Sequence, residues 1–302
     1  MVDSRHLIFD RALIRARRER MAASQDDRVA FLARWVADDI AERLAFIRRR
    51  FPIALDLCAA EGHLGRRLLE GNFGIDLLIS ADPAPRLLDR AAGLKLVADE
   101  ELLPLRQGTL DLVVSGLALQ HANDLPGALI QIRRSLKPDG LMIAALLGGR
   151  TLEELREAFV VAETETTGGA SPRVAPFADV RDLGGLLQRA GFSLPVADSE
   201  TLEVGYASPL HLMRDLRDMG WANALTDRSR ALLRRATLAR AIAVYQDRHG
   251  RADGRVNATF EIVTLTGWAP HESQQKPLRP GSAAHRLADA LHTTERPAGD
   301  EP

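Results

Sequence analysis

The sequence predicts an α/β protein built on a doubly wound, mostly parallel sheet of seven strands, with helices ahead of it and a small helical insert near its end. Three observations predict it. Short apolar runs alternate with helix-like segments from Ile53 to Gly148, the runs end in an acid or a serine, and turns bearing glycine or proline separate them. At 302 residues and 46% apolar content, the chain is long enough to bury one large core.

The first fifty residues are polar and helical. Residues 9–18 carry several arginines, but Asp10 and Glu19 break the charge, which suits a solvated helix face better than a nucleic-acid arm or a transit peptide. Val29, Leu32, Val36, Ile40, Leu44 and Ile47 then recur at helical spacing and predict an amphipathic helix beside the first strand, stopped by Pro52.

Ile53-Ala54-Leu55-Asp56-Leu57 reads as a buried strand, Cys58-Ala59-Ala60-Glu61-Gly62 as a tight turn, and Leu64 to Leu69 as a helix. A second strand, 76–81, ends at Asp82 and is followed by a helix over 83–92. The third, 94–98, ends at Asp99-Glu100-Glu101, and the fourth, 110–115, ends at Ser115. A helix over 125–136 and the turn Pro138-Asp139-Gly140 lead into a fifth strand, 141–147. Beyond Gly148 the spacing predicts a helix over 152–163, a loop over 166–176, a helix over 183–190 and a sixth strand over 201–206. Helices over 209–219 and 229–249 precede a last strand, 256–265. The expected organisation is a helical segment over 1–50, a main domain over 51–268 with its insert at about 207–250, and a C-terminal tail over 269–302, polar and frayed beyond about residue 279.

A formal net charge of −1 gives no field that would recruit nucleic acid. The single cysteine, Cys58, leaves no internal disulfide, and no apolar run reaches the ~18–20 residues of a membrane span, so a reducing cytoplasm is the expected location. No His-x-Asp or His-x-x-x-His spacing falls on a plausible element, so no metal site is expected.

Ligands of such sheets lie beyond the carboxyl ends of the strands, where Asp56, Asp82, Asp99 and Ser115 converge. Asp82, twenty residues after Gly62, is placed to accept both hydroxyls of a ribose, a feature shared by NAD and S-adenosylmethionine sites. Glu61 sits where a pyrophosphate would need to lie and the first glycine of the dinucleotide fingerprint is missing, which favours S-adenosylmethionine. Asp99 then suits the adenine amino group. His121, after the fourth strand, is a candidate general base, with a pocket-lining role as the alternative, and Cys58 reads as a small packed residue.

The segments 56–62, Asp82, 99–105, 110–115 and 136–140 together resemble the ordered motif series of class I S-adenosylmethionine-dependent methyltransferases, with a Rossmann-like sheet. That resemblance implies an antiparallel last strand, S-adenosylmethionine as cofactor, and a cofactor site formed by Asp56, Cys58, Ala60, Gly62, Asp82, Asp99, Glu100 and Ser115. Cys58 and Ala60 stand where the family usually has glycine. Residues 8–13, 168–173 and above all 267–278 are similar to the subgroup containing the mitochondrial complex I assembly factor, an arginine hydroxylase, with the malonyl-carrier-protein methyltransferases as more distant relatives. The reactions this implies are methyl transfer to an unidentified small-molecule or protein acceptor or, as alternatives, arginine hydroxylation or a non-catalytic assembly role toward a respiratory complex I subunit.

Overall fold

The seven strands are β1 (Ile53–Leu57), β2 (Leu77–Asp82), β3 (Leu94–Val97), β4 (Leu110–Gly116), β5 (Leu136–Leu147), β6 (Ser193–Tyr206) and β7 (Val256–Trp268). They lie in the order β3-β2-β1-β4-β5-β7-β6. The first five are parallel to one another, whereas β7 is inserted antiparallel between β5 and β6. This computed structural model describes residues 7–23, 27–275, 287–290 and 292–293. Lys276 to Leu278 of the C-terminal motif, and most of the tail expected beyond 279, lie outside the described residues.

The central strands β1 and β4 and the second half of β5 are buried and largely apolar because helices cover both faces. On one face, α2 (Phe31–Ala45) lays Leu32, Val36, Ile40 and Leu44 into a core shared with α3 (His63–Glu70), α6 (Glu153–Thr167), α8 (Pro209–Asp218) and α9 (Arg235–His249). On the other, α5 (Leu125–Ser135) and α7 (Val180–Arg189) contribute Leu129, Ile132, Leu183 and Leu187. The remaining α-helices among the described residues are α1 (Arg11–Met21) and the single turns α4 (Pro85–Leu88) and α10 (Leu287–Ala290). Contacts group residues 1–270 and 271–302 into separate units.

Several elements differ from the sequence expectation, among them β5, which starts five residues early at Leu136, and α9, which starts six residues late at Arg235. The helix expected over 83–92 shrinks to one turn, since Pro83 and Gly93 bracket it and Ala84 is extended. β6 starts eight residues early: it is an edge strand with mostly half-exposed side chains, so its first half shows no apolar alternation. Helix α1 does not present all its arginines to solvent. Arg11, Ile14 and Arg18 share one face, Ile14 is buried, and both guanidinium groups turn inward.

Helix α6 is pinned to β7 by the buried Glu154, whose carboxylate accepts from the Thr259 hydroxyl at 2.5 Å and from its backbone N–H at 3.2 Å. Glu154→Ala leaves two buried donors unsatisfied, and urea unfolding is expected to show a loss of about 1–3 kcal/mol, against a smaller loss for Glu154→Gln.

Candidate functional site

The turn after β1 is built from left-handed residues. Cys58 (φ 58°), Ala60 (φ 48°) and Gly62 (φ 74°) all have positive φ, which bends the chain from strand to helix in five residues. The turn is tied to β2 by Ala59 N–H donating to the Ala81 carbonyl at 2.9 Å and Ala60 N–H donating to Asp82 Oδ2 at 3.0 Å. A Cβ on Gly62 would lie 2.7 Å from the Ala91 Cα, so this position needs glycine for space as well as for φ. Cys58 and Ala60 therefore keep a glycine-like backbone without glycine.

Asp56 sits beneath the turn. A Cβ on Gly65 would come within 3.0 Å of Asp56 Oδ2, so the missing side chain lets α3 bring its Gly65 N–H down to this carboxylate. Oδ2 is buried and has no hydrogen-bond partner, and Asp56 lines the cavity above the turn. Burial pushes its pKa up to about 7; the Asp82 charge adds to this, while the Gly65 N–H and Arg66 oppose it.

Asp82 is fully buried, and all its acceptor positions are filled. Oδ1 accepts from Ala84 N–H at 2.9 Å and from Arg18 Nε at 3.3 Å. Oδ2 accepts from Ala60 N–H and from Arg18 Nη2. Arg11 performs a parallel task one strand along, with Nη2 2.9 Å from Asp99 Oδ1 and Nη1 2.5 Å from Glu100 Oε1. Burial alone would raise the Glu100 carboxyl, but the Arg11 hydrogen bond and charge hold it below its usual value. Cys58 Sγ lies 3.2 Å from the other Glu100 oxygen, and burial and the Glu100 charge push the thiol up, so it remains a protonated donor. Ser115 donates to the Leu57 carbonyl at 2.9 Å and bonds β4 to β1, while the next residues, Gly116 and Leu117, line the cavity.

A second cavity, of about 210 Å³, lies between α6, α8 and the 173–177 loop, with Phe9, Phe159, Phe177 and Met213 among its apolar walls. Trp221 lines both cavities. His121 faces the second, packed edge-on against Phe9 at 5.4 Å between centroids. Burial, and next the Arg18 charge, pull its pKa down to about 4, so the imidazole is neutral at physiological pH. Arg173, also in the wall, is clamped by Glu163, which accepts from its Nε at 2.8 Å and from Ser171 N–H at 2.6 Å. His271 bonds Ser273 through Nδ1 at 2.7 Å. Among the described residues, no three His, Cys, Asp or Glu side chains gather as a metal site.

Of the residues expected at the site, Asp56, Cys58 and Ala60 line the first cavity and His121 the second, while Gly62, Asp82, Asp99, Glu100 and Ser115 lie outside both linings. Sequence reasoning missed Arg11, Arg18 and Trp221. The seven-residue spacing of the two arginines on the face of the buried Ile14 was the available signal.

A sheet of this order carrying such a turn defines the class I methyltransferase fold. Residues 55–144 match the family model described as a methyltransferase domain. Over 283 residues, the chain is 43% identical to a Homo sapiens protein called "Arginine-hydroxylase NDUFAF5, mitochondrial", covering 91% of this chain and 81% of that one. It is 39% identical over 263 residues to a Halorhodospira halophila malonyl-[acyl-carrier protein] O-methyltransferase, covering 84% and 87% of the two chains. Among solved structures, the YcgJ protein of Bacillus subtilis has the same fold at a TM-score of 0.54, with 12% identity over 78% of this chain and 99% of that one. The chain belongs to the class I S-adenosylmethionine-dependent methyltransferase superfamily, in the family that includes these NDUFAF5 proteins.

Two outcomes are expected. A left-handed non-glycine residue costs roughly 1–2 kcal/mol, and glycine returns about half of that gain as lost chain entropy, so Ala60→Gly should stabilise the protein by up to about 1 kcal/mol in chemical denaturation. Because the Asp56 pKa is raised on folding, the native state holds a proton the unfolded chain has released. Its contribution is fully present below the unfolded value near 4 and is lost as pH rises toward about 7. Asp56→Asn should therefore flatten the fall in stability between pH 5 and 8, a difference on the order of a few kcal/mol, read from urea midpoints across that range.

Proposed function

We propose that the chain binds S-adenosylmethionine over the carboxyl ends of β1 to β3 and transfers its methyl group to an acceptor held in the second cavity. The observation that carries this reading is the buried, unpartnered Asp56 Oδ2 beside a turn of left-handed residues. An orphan carboxylate oxygen calls for a cationic donor, and the ammonium of an amino acid supplies one. Asp82 supplies the acceptor pair for a ribose and Asp99 an acceptor for an adenine amino group.

When bound, the cofactor supplies an electrophilic methyl on sulfur. The chain's own part is alignment: Trp221 forms the wall common to both cavities, and the apolar side chains around the second exclude water from an acceptor placed there. Neutral His121 offers a ring nitrogen lone pair to an acceptor hydroxyl, amine or acid. Arg173 is the charged group in that wall. No dedicated nucleophile is needed.

Hydroxylation of a protein arginine is the second reading, favoured by the 43% identity over 91% of the chain to a relative named as an arginine hydroxylase. A link to a respiratory complex I subunit goes with that reading. Among the described residues, no helix is long and apolar enough to cross a membrane, and the lone cysteine supports a reducing cytoplasm.

Calorimetric titration with S-adenosylmethionine is expected to give micromolar binding, about −8 kcal/mol, lost in Asp82→Ala. Mass spectrometry of an acyl thioester and of an arginine-bearing peptide after incubation then separates the reactions. A gain of CH₂ supports methyl transfer, a gain of oxygen supports hydroxylation, and cofactor binding with neither supports the assembly role.

A further inference from the structure

The fully buried Asp82 has only two carboxylate oxygens, and four donors already fill them. Two are the backbone amides of Ala60 and Ala84, which cannot leave without unmaking the turns they shape. The other two are Nε and Nη2 of Arg18, on a helix outside the sheet. A ribose diol can reach Asp82 only by taking the place of this guanidinium. The cavity beside the turn, lined by Arg18 and not by Asp82, holds only about 80 Å³ of free space with the pair closed.

Displacement poses a second problem. The Arg18 side chain is 14% exposed and lines the same cavity as the turn. A guanidinium deprived of its carboxylate there must find another anion or bear the cost of desolvation. Asp56 is not that anion, because its free oxygen is claimed by the ammonium under the reading above, and the nearby Glu100 and Glu61 are already paired with Arg11 and Arg90.

We propose that Arg18 is an exchange residue of the cofactor site: it latches Asp82 when the site is empty and turns to the carboxylate of the ligand's amino-acid end when a ribose displaces it. This rests on the cofactor reading above and deepens it. The latch selects for a nucleoside that also carries a carboxylate. A ligand with the diol alone must break the Arg18–Asp82 pair and leave the guanidinium unpaired, whereas one carrying both groups replaces the pair in full.

Two ligands that share the thioadenosine and differ in the amino-acid end test this: S-adenosylhomocysteine and 5′-methylthioadenosine. The wild-type protein is expected to bind the first at least about tenfold more tightly, the factor a charge-assisted pair carries. In Arg18→Met the methylthioadenosine affinity should rise, because nothing competes for Asp82, while the S-adenosylhomocysteine affinity falls, so that the ratio collapses toward the contribution of the ammonium alone. Arg18→Lys keeps the buried charge if the methionine variant fails to fold, and its ratio should drop part of the way, since an ammonium lacks the forked geometry. A ratio unchanged in the variants, with tight wild-type binding of S-adenosylhomocysteine, overturns the Arg18 proposal and leaves the cofactor reading standing. Failure of the wild-type protein to bind either ligand overturns the cofactor reading and this proposal with it.

Discussion

Two carboxylates buried side by side beneath one turn are the constraint to which the rest of the site answers. Asp56 and Asp82 end neighbouring parallel strands, so the sheet itself forces them together, away from water and against each other's charge. The protein resolves this unequally. Asp82 is held by two amides and a guanidinium, whereas burial pushes the Asp56 pKa up to about 7 and leaves one of its oxygens unpartnered. The close approach of Gly65 serves Asp56, and the turn's Ala60 N–H and the inward Arg18 of α1 serve Asp82.

Most of the parallel sheet was legible in the sequence because its strands are buried on both faces and read as unbroken apolar runs ended by acids. The long edge strand was less so. In β6 the partner β7 fixes the backbone while solvent reaches the side chains, and no apolar period marks the first half. The turn shows the limit at finer scale: Cys58 and Ala60 differ from the residues a left-handed backbone prefers, and only the observed φ values show that the geometry survives them.

The inward arginines were hidden for a different reason. Charge in a basic helix is normally solvated, and local sequence cannot reveal that Asp82 and Glu100 lie within reach of residues 11 and 18. The acids were legible as acids and the helix as a helix, but their pairing is a property of tertiary structure. The same holds for Trp221, whose place between the two cavities depends on how the insert folds back.

The head of α1 is also fastened to a stretch more than two hundred residues away. Asp10 N–H donates to the Ala224 carbonyl at 2.9 Å, Thr226 N–H donates to the Ile8 carbonyl at 2.9 Å, and Arg228 reaches the Asp10 carboxylate at 3.1 Å. During synthesis, the strands and turn that carry Asp56 and Asp82 emerge long before their clasp does. The latch helix gains its far anchor only after residue 228 has left the ribosome, which makes this corner among the last parts of the fold to close.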